Sequence, residues 1–466
     1  MRANELYPYC VTIIFKGFIM NMKQLLPVLA LMALFLGCKE KVHSEQIVNS
    51  SSKRETEGPS SVTVTEKQGG FSLSVNGKPF FIHGAGLEFG NIKSLAEHGG
   101  NSFRTWRTGN GQQSGKEVLD EAKKNGLMVT MGLEMGSERH GFDYNDTDLV
   151  EAQKQRIREE VMSLKDHPAL LIWCIGNELN LNYTNPKVWD AVNDIANMIH
   201  QIDGNHPTTT TLAGVSQREI DFVKQKCPQI DILSIQMYGD LPSLPRLLQE
   251  YQWDGPYMVT EWGATGHWEV PQTEWGAPLE ENTTVKADNY LKRYQNGIAV
   301  DQEKCLGSYV FLWGNKQERT PTWYGIFLEN GNETEAVDVM HYIWNGQWPA
   351  NRSPKIVSFV LDGKTAQQNV HLKAGQEYAS QLSLTEPDGD NLDFHWEILP
   401  ESQSQGEGGD HEDRPRSVEG LFIQESGTTL KFAAPSQKGA YRLFVYANDG
   451  NNHSATANIP FYVGEN

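Results

Sequence analysis

An α/β barrel followed by an all-β sandwich is the fold that the sequence predicts, and three observations predict it. Between residues 80 and 313, short apolar runs alternate with polar, helix-compatible stretches, the pattern of repeated strand–helix units. Two of those runs close on a glutamate, Glu178 and Glu261. Beyond residue 354 the helix-compatible stretches stop, and short alternating runs separated by turn residues take over.

The barrel elements follow in order. The runs are Phe80 to His83, Ser102 to Trp106, Leu127 to Leu133, Leu170 to Ile175, Thr208 to Leu212, Ile230 to Met237, Tyr257 to Thr260 and Ser308 to Trp313. Helices are expected at Ser114 to Asn125, Leu149 to Lys165, Pro186 to Ile202, Ser216 to Lys226 and Val285 to Val300. Eight units in roughly 270 residues is the size of one (β/α)8 TIM barrel. A doubly wound sheet is disfavoured, because no Gly-rich phosphate loop follows the first run. Ahead of the barrel, Val62 to Ile82 alternates and turns at Asn76-Gly77 like a hairpin, a ribbon placed to cap the closed end. After it, six runs from Lys355 to Val463 with turns such as Glu386-Pro-Asp-Gly-Asp390 predict a C-terminal immunoglobulin-like sandwich. Asp388 and Asp390 are read as turn residues rather than calcium ligands. The polar stretch Glu401 to Arg416 is expected to be a mobile insertion.

The predicted boundaries are a leader at 1–38, a flexible tether at 39–61, the barrel domain at 62–349 and the sandwich at 354–466. Lys23, the apolar run Leu25 to Leu36 and the following Gly37-Cys38 read as an export signal, too short to span a bilayer as a mature helix. Gly37-Cys38 resembles the lipobox of bacterial lipoproteins, which implies acylation at Cys38 and an exported lipoprotein on a periplasm-facing or outer cell surface. Residues 1–21 are superfluous to that signal and are taken as an unused upstream start. Cys174, Cys227 and Cys305 lack the spacing of a disulfide framework or a metal knuckle, and Cys174 reads as a buried structural thiol.

A net charge of −19 with no basic stripe argues against nucleic acid as a partner. The chain holds 12 Trp, 16 Tyr and 18 Phe, an aromatic supply that suits platforms for sugar faces as well as a core. In a barrel of this kind the C-terminal strand ends converge on one open face. Glu178, ending the fourth run, and Glu261, ending the seventh, are therefore brought together there. Two facing carboxylates are the apparatus of glycosidic bond cleavage: about 5 to 5.5 Å apart for retention and wider for inversion. Ordinary helix-capping carboxylates are the alternative reading, and the joint placement of the pair tells against it.

Trp173-Cys-Ile-Gly-Asn177-Glu178 and Thr260-Glu261-Trp-Gly263 resemble the catalytic motifs of clan A retaining glycoside hydrolases, most closely the barrel of glycoside hydrolase family 2. The resemblance runs from about Phe71 to Trp348 and includes Asn76-Gly-Lys-Pro-Phe-Phe-Ile-His-Gly84 and Asn101-Ser-Phe-Arg-Thr-Trp106. It implies Glu178 as acid/base and Glu261 as nucleophile, in a reaction needing no cofactor and no metal. It also implies Arg104 and Tyr238 as hydrogen-bond donors to the nucleophile, Asn177 on the sugar 2-hydroxyl, and Trp313 as the aromatic floor. Trp106, Trp262 and Trp268 are candidates for shaping the cleft, with Glu134, Trp275, Trp323, Tyr324, His140 and His267 behind them.

Family 2 enzymes typically place a jelly-roll and an immunoglobulin-like domain before the barrel. A ribbon before it and a sandwich after it are instead similar to small secreted bacterial endo-β-glucanases, including those acting on β-1,3-glucan. The expectation is thus an endo-β-glucanase with a carbohydrate substrate, reaching the membrane only through an anchor at Cys38. Competing readings are an exo-acting β-galactosidase, β-mannosidase or β-glucuronidase, a transglycosylase, and an inactive carbohydrate-binding lipoprotein. The sequence carries no signal for oligomeric state.

Overall fold

The computed structural model describes residues 58–464, which belong to one compact unit. The leader, Cys38 and the tether as far as residue 57 lie outside the described residues. The chain begins with a three-stranded ribbon, β1 (Val62–Lys67), β2 (Gly70–Val75) and β3 (Lys78–Pro79). Asn76 and Gly77 join β2 to β3 at φ 52° and 76°. Two consecutive left-handed residues make the tight turn whose twist matches that of the strands. Val62 and Leu73 of the ribbon pack with Ile82, Leu171, Ile172, Ile232, Met258 and Leu306, mostly from the first residues of the barrel strands, and so plug the N-terminal end.

Eight parallel strands close the barrel in sequence order. They are β4 (Ile82–Gly86), β5 (Ser102–Arg104), β6 (Met128–Leu133), β7 (Leu170–Ile175), β8 (Thr208–Ala213), β9 (Ile232–Gln236), β10 (Tyr257–Trp262) and β11 (Cys305–Val310). The strand β11 returns to pair with β4, Gly307 opposite Ile82. All six residues of β7 are buried, as expected of a strand covered on both faces, and this is why it reads as a continuous apolar run.

The surrounding helices are α1 (Ile92–Glu97), α2 (Gly115–Lys124), α3 (Thr147–Leu164), α4 (Lys187–Ile202), α5 (Gln217–Lys226), α6 (Leu244–Glu250), α7 (Thr283–Arg293) and α8 (Glu335–Asn345). Local chemistry sets their starts. Ser114 and Glu117 form a reciprocal capping box on α2, and the Asp146 and Asn282 side chains accept the first free N–H groups of α3 and α7. The helix α4 buries Val188, Trp189, Val192, Ile195, Ala196 and Ile199, each large aliphatic contributing roughly 1.5–3 kcal/mol against exposure. Among the described residues no helix is long and apolar enough to cross a membrane.

The C-terminal part is a sandwich of two four-stranded sheets. One has the order β12 (Lys355–Leu361), β14 (Glu377–Thr385), β17 (Thr429–Ala433), β16 (Phe422–Ser426). The other runs β13 (Val370–Lys373), β19 (Ser454–Gly464), β18 (Gly439–Asn448), β15 (Asp393–Pro400). Leu382, Leu430 and Phe432 from the first face Trp396, Ile398, Leu443, Val445 and Phe461 from the second. All pairs are antiparallel except β13 with β19. The predicted fold class therefore holds.

Barrel and sandwich meet through buried polar groups. The Glu280 carboxylate accepts from Lys286 at 2.6 Å, from Thr320 and Thr322, and from Asn458 of β19 at 2.7 Å. Arg442 of β18 donates to Asn458 and to the Pro278 carbonyl. At a second joint, Glu333 lies between His98 of the barrel at 3.2 Å and His453 of the sandwich at 3.3 Å.

The 401–416 stretch departs from expectation. It has no regular structure but is docked on the barrel. Glu412 pairs with Arg319 at 2.6 Å, Asp410 takes both terminal nitrogens of Arg139 at 2.7 and 3.0 Å, and Lys316 donates to the Gly409 carbonyl at 3.0 Å. Two of its acidic groups, Asp410 and Glu412, hold it down, because each meets an arginine of a barrel loop.

The second joint makes stability pH-dependent. Burial works against a charged His453, but Glu333 and Asp338 outweigh it and raise its pKa to about 9. The folded state then binds a proton more tightly than the unfolded chain, whose histidine titrates near 6.5. This stabilisation is complete below pH 6.5 and is lost as pH rises through 9. Calorimetry should show the melting temperature falling across that window, and His453→Gln should flatten the fall and cost on the order of 1–3 kcal/mol at pH 6.

Candidate active site

The C-terminal strand ends gather one constellation. Arg104 ends β5, Gln236 ends β9, Glu261 is the penultimate residue of β10, and Asn177 and Glu178 follow β7 after Gly176. Glu261 receives donors on both oxygens. Its Oε1 accepts from Arg104 Nη1 and Trp106 Nε1, each at 3.0 Å, and its Oε2 accepts from the Tyr238 hydroxyl at 3.0 Å. Burial and the Glu261 charge hold the Tyr238 hydroxyl well above its ordinary pKa, so it stays a donor.

Arg104 is fully buried. Besides Glu261 it reaches the Thr260 carbonyl at 3.1 Å and Asn177 Oδ1 at 2.8 Å, with its guanidinium carbon 4.9 Å from the Trp106 ring centroid. Asn177 Oδ1 also accepts from Gln236 at 2.8 Å and from Thr211 at 3.4 Å. Three donors on one oxygen fix the amide, and its Nδ2 makes no hydrogen bond among the described residues. That N–H pair is available to a ligand hydroxyl.

Glu178 is built differently. Gly176 and Glu178 both have left-handed backbone, φ 70° and 48°. A left-handed glutamate is strained, and its N–H is pinned to Thr211 Oγ1 at 3.0 Å. Among the described residues no group donates to its carboxylate. Burial first, and then the negative charge of Glu261, raise its pKa to about 8, against the opposing charges of Arg104 and Arg139. The mouth thus holds one carboxyl saturated with donors and one that keeps its proton at neutral pH.

The aromatic candidates divide. Trp106 is in the site. Trp268 is largely exposed, with its ring edge-on to Tyr238 at 5.7 Å. Two others lie elsewhere. Trp262 follows Glu261 on the same strand, so the period-2 alternation turns it to the opposite face, where it packs on Tyr290 and Tyr294. Trp313 lies past the end of β11 at Val310, and its ring is buried among His98, Phe327 and Trp344. It is Phe311 that joins the aromatic side chains of the mouth, edge-to-face with Trp106, Tyr238 and Tyr324 at 5.9 to 6.2 Å.

Tyr324 is thus at the site, while Trp275 packs against His371 and Tyr462 of the sandwich. Trp323 is buried with its N–H on the Thr265 carbonyl. His267 lies 3.7 Å from Glu318, and burial together with Arg319 takes its pKa down to about 4. Glu318 itself is buried and paired with Lys316 at 2.7 Å. The sequence reading passed over Phe311, Gln236, Thr211, Lys316 and Glu318. Gln236 had a signal, since it is a polar residue at the C-terminal end of its run, where the barrel opens. Cys174, Cys227 and Cys305 are buried free thiols. Among the described residues no group of three or more His, Cys, Asp or Glu could hold a metal ion.

Residues 92–315 match the family model described as glycosyl hydrolases family 2, TIM barrel domain. A relative, the exo-beta-D-glucosaminidase of Arthroderma benhamiae, is 31% identical over 127 residues, covering 23% of this chain and 14% of that protein. The chain therefore spans only a small part of that curated relative. Among solved structures, a calcium-binding mutant of Bacteroides uniformis beta-glucuronidase 2 aligns with TM-score 0.46 and 14% identity, over 87% of this chain and 48% of that one. A glycoside hydrolase family 5 mannosidase from Rhizomucor miehei aligns with TM-score 0.43 and 14% identity, over 61% and 96%.

The two carboxyls are expected to sense each other. In a carboxyl-carbon NMR titration, Glu261→Gln should lower the Glu178 pKa from about 8 while leaving it above 4.5, because burial, the larger cause, remains. An unchanged value would show that Glu178 does not feel the Glu261 charge.

Proposed function

With residues 92–315 matching the family 2 barrel model, we propose that the protein is a retaining β-glycoside hydrolase acting on a polysaccharide or oligosaccharide, and specifically an endo-β-glucanase. The observation that carries the reading is the unlike pair at the mouth, Glu261 with its three donors beside Glu178 with its raised pKa. In this reading a Glu261 oxygen attacks the anomeric carbon as the bond to the leaving oxygen breaks, and Glu178 gives that oxygen its proton. The glycosyl ester then meets water. Glu178, now a carboxylate, takes a proton from the water as its oxygen bonds to the anomeric carbon, and Glu261 leaves with its electron pair.

Asn177 Nδ2 is the donor for the sugar 2-hydroxyl, and Phe311 and Trp106 form the apolar wall of the cleavage subsite. The endo mode is supported by the place of the ribbon, which plugs the far end of the barrel instead of walling the mouth. An exo mode is favoured by one observation, the docking of residues 406–412 on the loops of the mouth.

Purified protein should hydrolyse a β-glucan with retention at the new reducing end, seen by proton NMR as the β-anomer forming first. Glu178→Gln should slow unactivated substrates by about 10²- to 10⁴-fold. Glu261→Gln, which cannot form the glycosyl ester, should be inactive. The kcat/KM profile should fall as pH passes about 8, where Glu178 loses its proton. An α-anomer as first product would refute double displacement.

We also propose export and anchoring through Cys38, which supports a role on extracellular or periplasmic glycan. In a bacterial host, wild type should fractionate with membranes and take up labelled palmitate, and Cys38→Ser should do neither.

A further inference from the structure

Residues 401–416 leave β15 and return to β16 as a strap whose anchors lie on three barrel loops. Arg139 and His140 follow β6, and Asp410 meets both. Leu181 and Asn182 follow β7. Asn182 donates to Glu407 at 2.7 Å, and a Cβ at Gly408 would lie 2.5 Å from the Leu181 side chain. Lys316 and Arg319 follow β11. They donate to the Gly409 carbonyl and to Glu412, whose other oxygen accepts the Arg319 N–H. In the closed order β11-β4-β5-β6-β7, β7 is four strands from β11 and so lies opposite it in an eight-stranded barrel. A segment gripping the loops after both strands spans the mouth.

The strap is anchored close to Glu178 along the chain, since Leu181 and Asn182 stand three and four residues after it, and the charge of a further anchor, Arg139, acts on its carboxyl. An acid that protonates the leaving oxygen faces the departing part of the substrate, so groups beside Glu178 flank that part. The strap carboxylates Asp410 and Glu412 are neutralised by arginines, while Glu407, Gly408 and Gly409 stay exposed. The Gly406, Glu407 and Gly409 carbonyls are taken by Arg319, Arg139 and Lys316, while the N–H groups of residues 407–409 make no hydrogen bond among the described residues, and such donors on an exposed Gly-rich turn suit a neutral, hydroxyl-rich ligand.

We propose that residues 406–412 of the sandwich are part of the substrate site: a strap across the barrel mouth that binds the sugar units leaving with the Glu178 proton and limits how many fit. This rests on the glycosidase reading. The test uses the full chain, with an Asp410→Asn/Glu412→Gln pair that loosens the strap isosterically. Asn182→Ala, which removes a single anchor, serves if the pair does not fold. Lys431→Ala, on β17 where the side chain pairs with Glu377 and touches no strap residue, is the control. Rates are measured on β-1,3- and β-1,4-glucan oligosaccharides of two to six units and on an aryl β-glucoside, whose leaving group is too short to reach the strap.

Loosening the strap should change the kcat/KM ratio of the longest oligosaccharide to the aryl glucoside by about tenfold. Product lengths from the polysaccharide should shift with it, and the control should change neither. A ratio that stays within about twofold of wild type, with unchanged products, overturns the strap while leaving the glycosidase reading intact. Wild type that cleaves none of these glucans overturns the β-glucan reading and the strap together.

Discussion

Arg104 is a cation with no exposed surface, and a buried charge is tolerable only where its partners are in place. It has three: the Glu261 carboxylate, the Thr260 carbonyl and the Asn177 amide oxygen. Much of the mouth follows from that demand. Because Nη2 takes the oxygen end of Asn177, the amide must present its nitrogen end elsewhere, and Gln236 and Thr211 enforce the same orientation. Because Nη1 takes one oxygen of Glu261, that carboxylate is fixed in rotation, and Tyr238 and Trp106 can reach it from defined directions. The neighbouring Cys174 thiol is pushed up to about 11 by burial, so it stays neutral and does not compete for the guanidinium.

The two glutamates differ by what surrounds them, since their chemistry is the same. A carboxylate met by donors keeps its charge at little cost. A carboxyl buried without donors beside a negative neighbour holds its proton. The backbone enforces the second case. The left-handed turn at Gly176 and Glu178 takes the chain off β7, and the Thr211 hydroxyl that pins the Glu178 N–H also donates to Asn177. One threonine on β8 therefore sets the spacing between the amide and the acid.

Much of the barrel was legible because parallel strands are buried on both faces and read as apolar blocks; the fourth run and β7 coincide at Leu170–Ile175. The central residues of the site were legible too, as polar side chains standing at the ends of such blocks. The tryptophans were harder. Glu261 and Trp262 are adjacent, so both cannot face the mouth, and that signal was present in the spacing. Trp313 is another matter, because alternation says nothing once the strand has stopped at Val310. The strap was not legible at all. A Gly-, Asp- and Glu-rich stretch has the same composition whether it floats or docks, and the cations that decide the matter are as distant in sequence as Arg139.

A segment without regular structure can serve as a wall only if ordering it is offset elsewhere, since fixing each residue costs about 1–2 kcal/mol in backbone entropy. Here both stems are tied as well as the middle. Glu401, where the strap begins, accepts from Arg442 at 3.0 Å, and that arginine also reaches Asn458 and the Pro278 carbonyl of the barrel. At the far end Arg414 pairs with Glu397 of β15 at 2.9 Å. Asn458 in turn shares Glu280 with Lys286, Thr320 and Thr322, and Thr320 is the residue next to Arg319, the anchor of Glu412. The network that joins the two domains is therefore continuous with the one that holds the strap. The sandwich thus bears on the mouth of the barrel through a segment whose stems and middle are tied by the same buried polar groups that join the two domains.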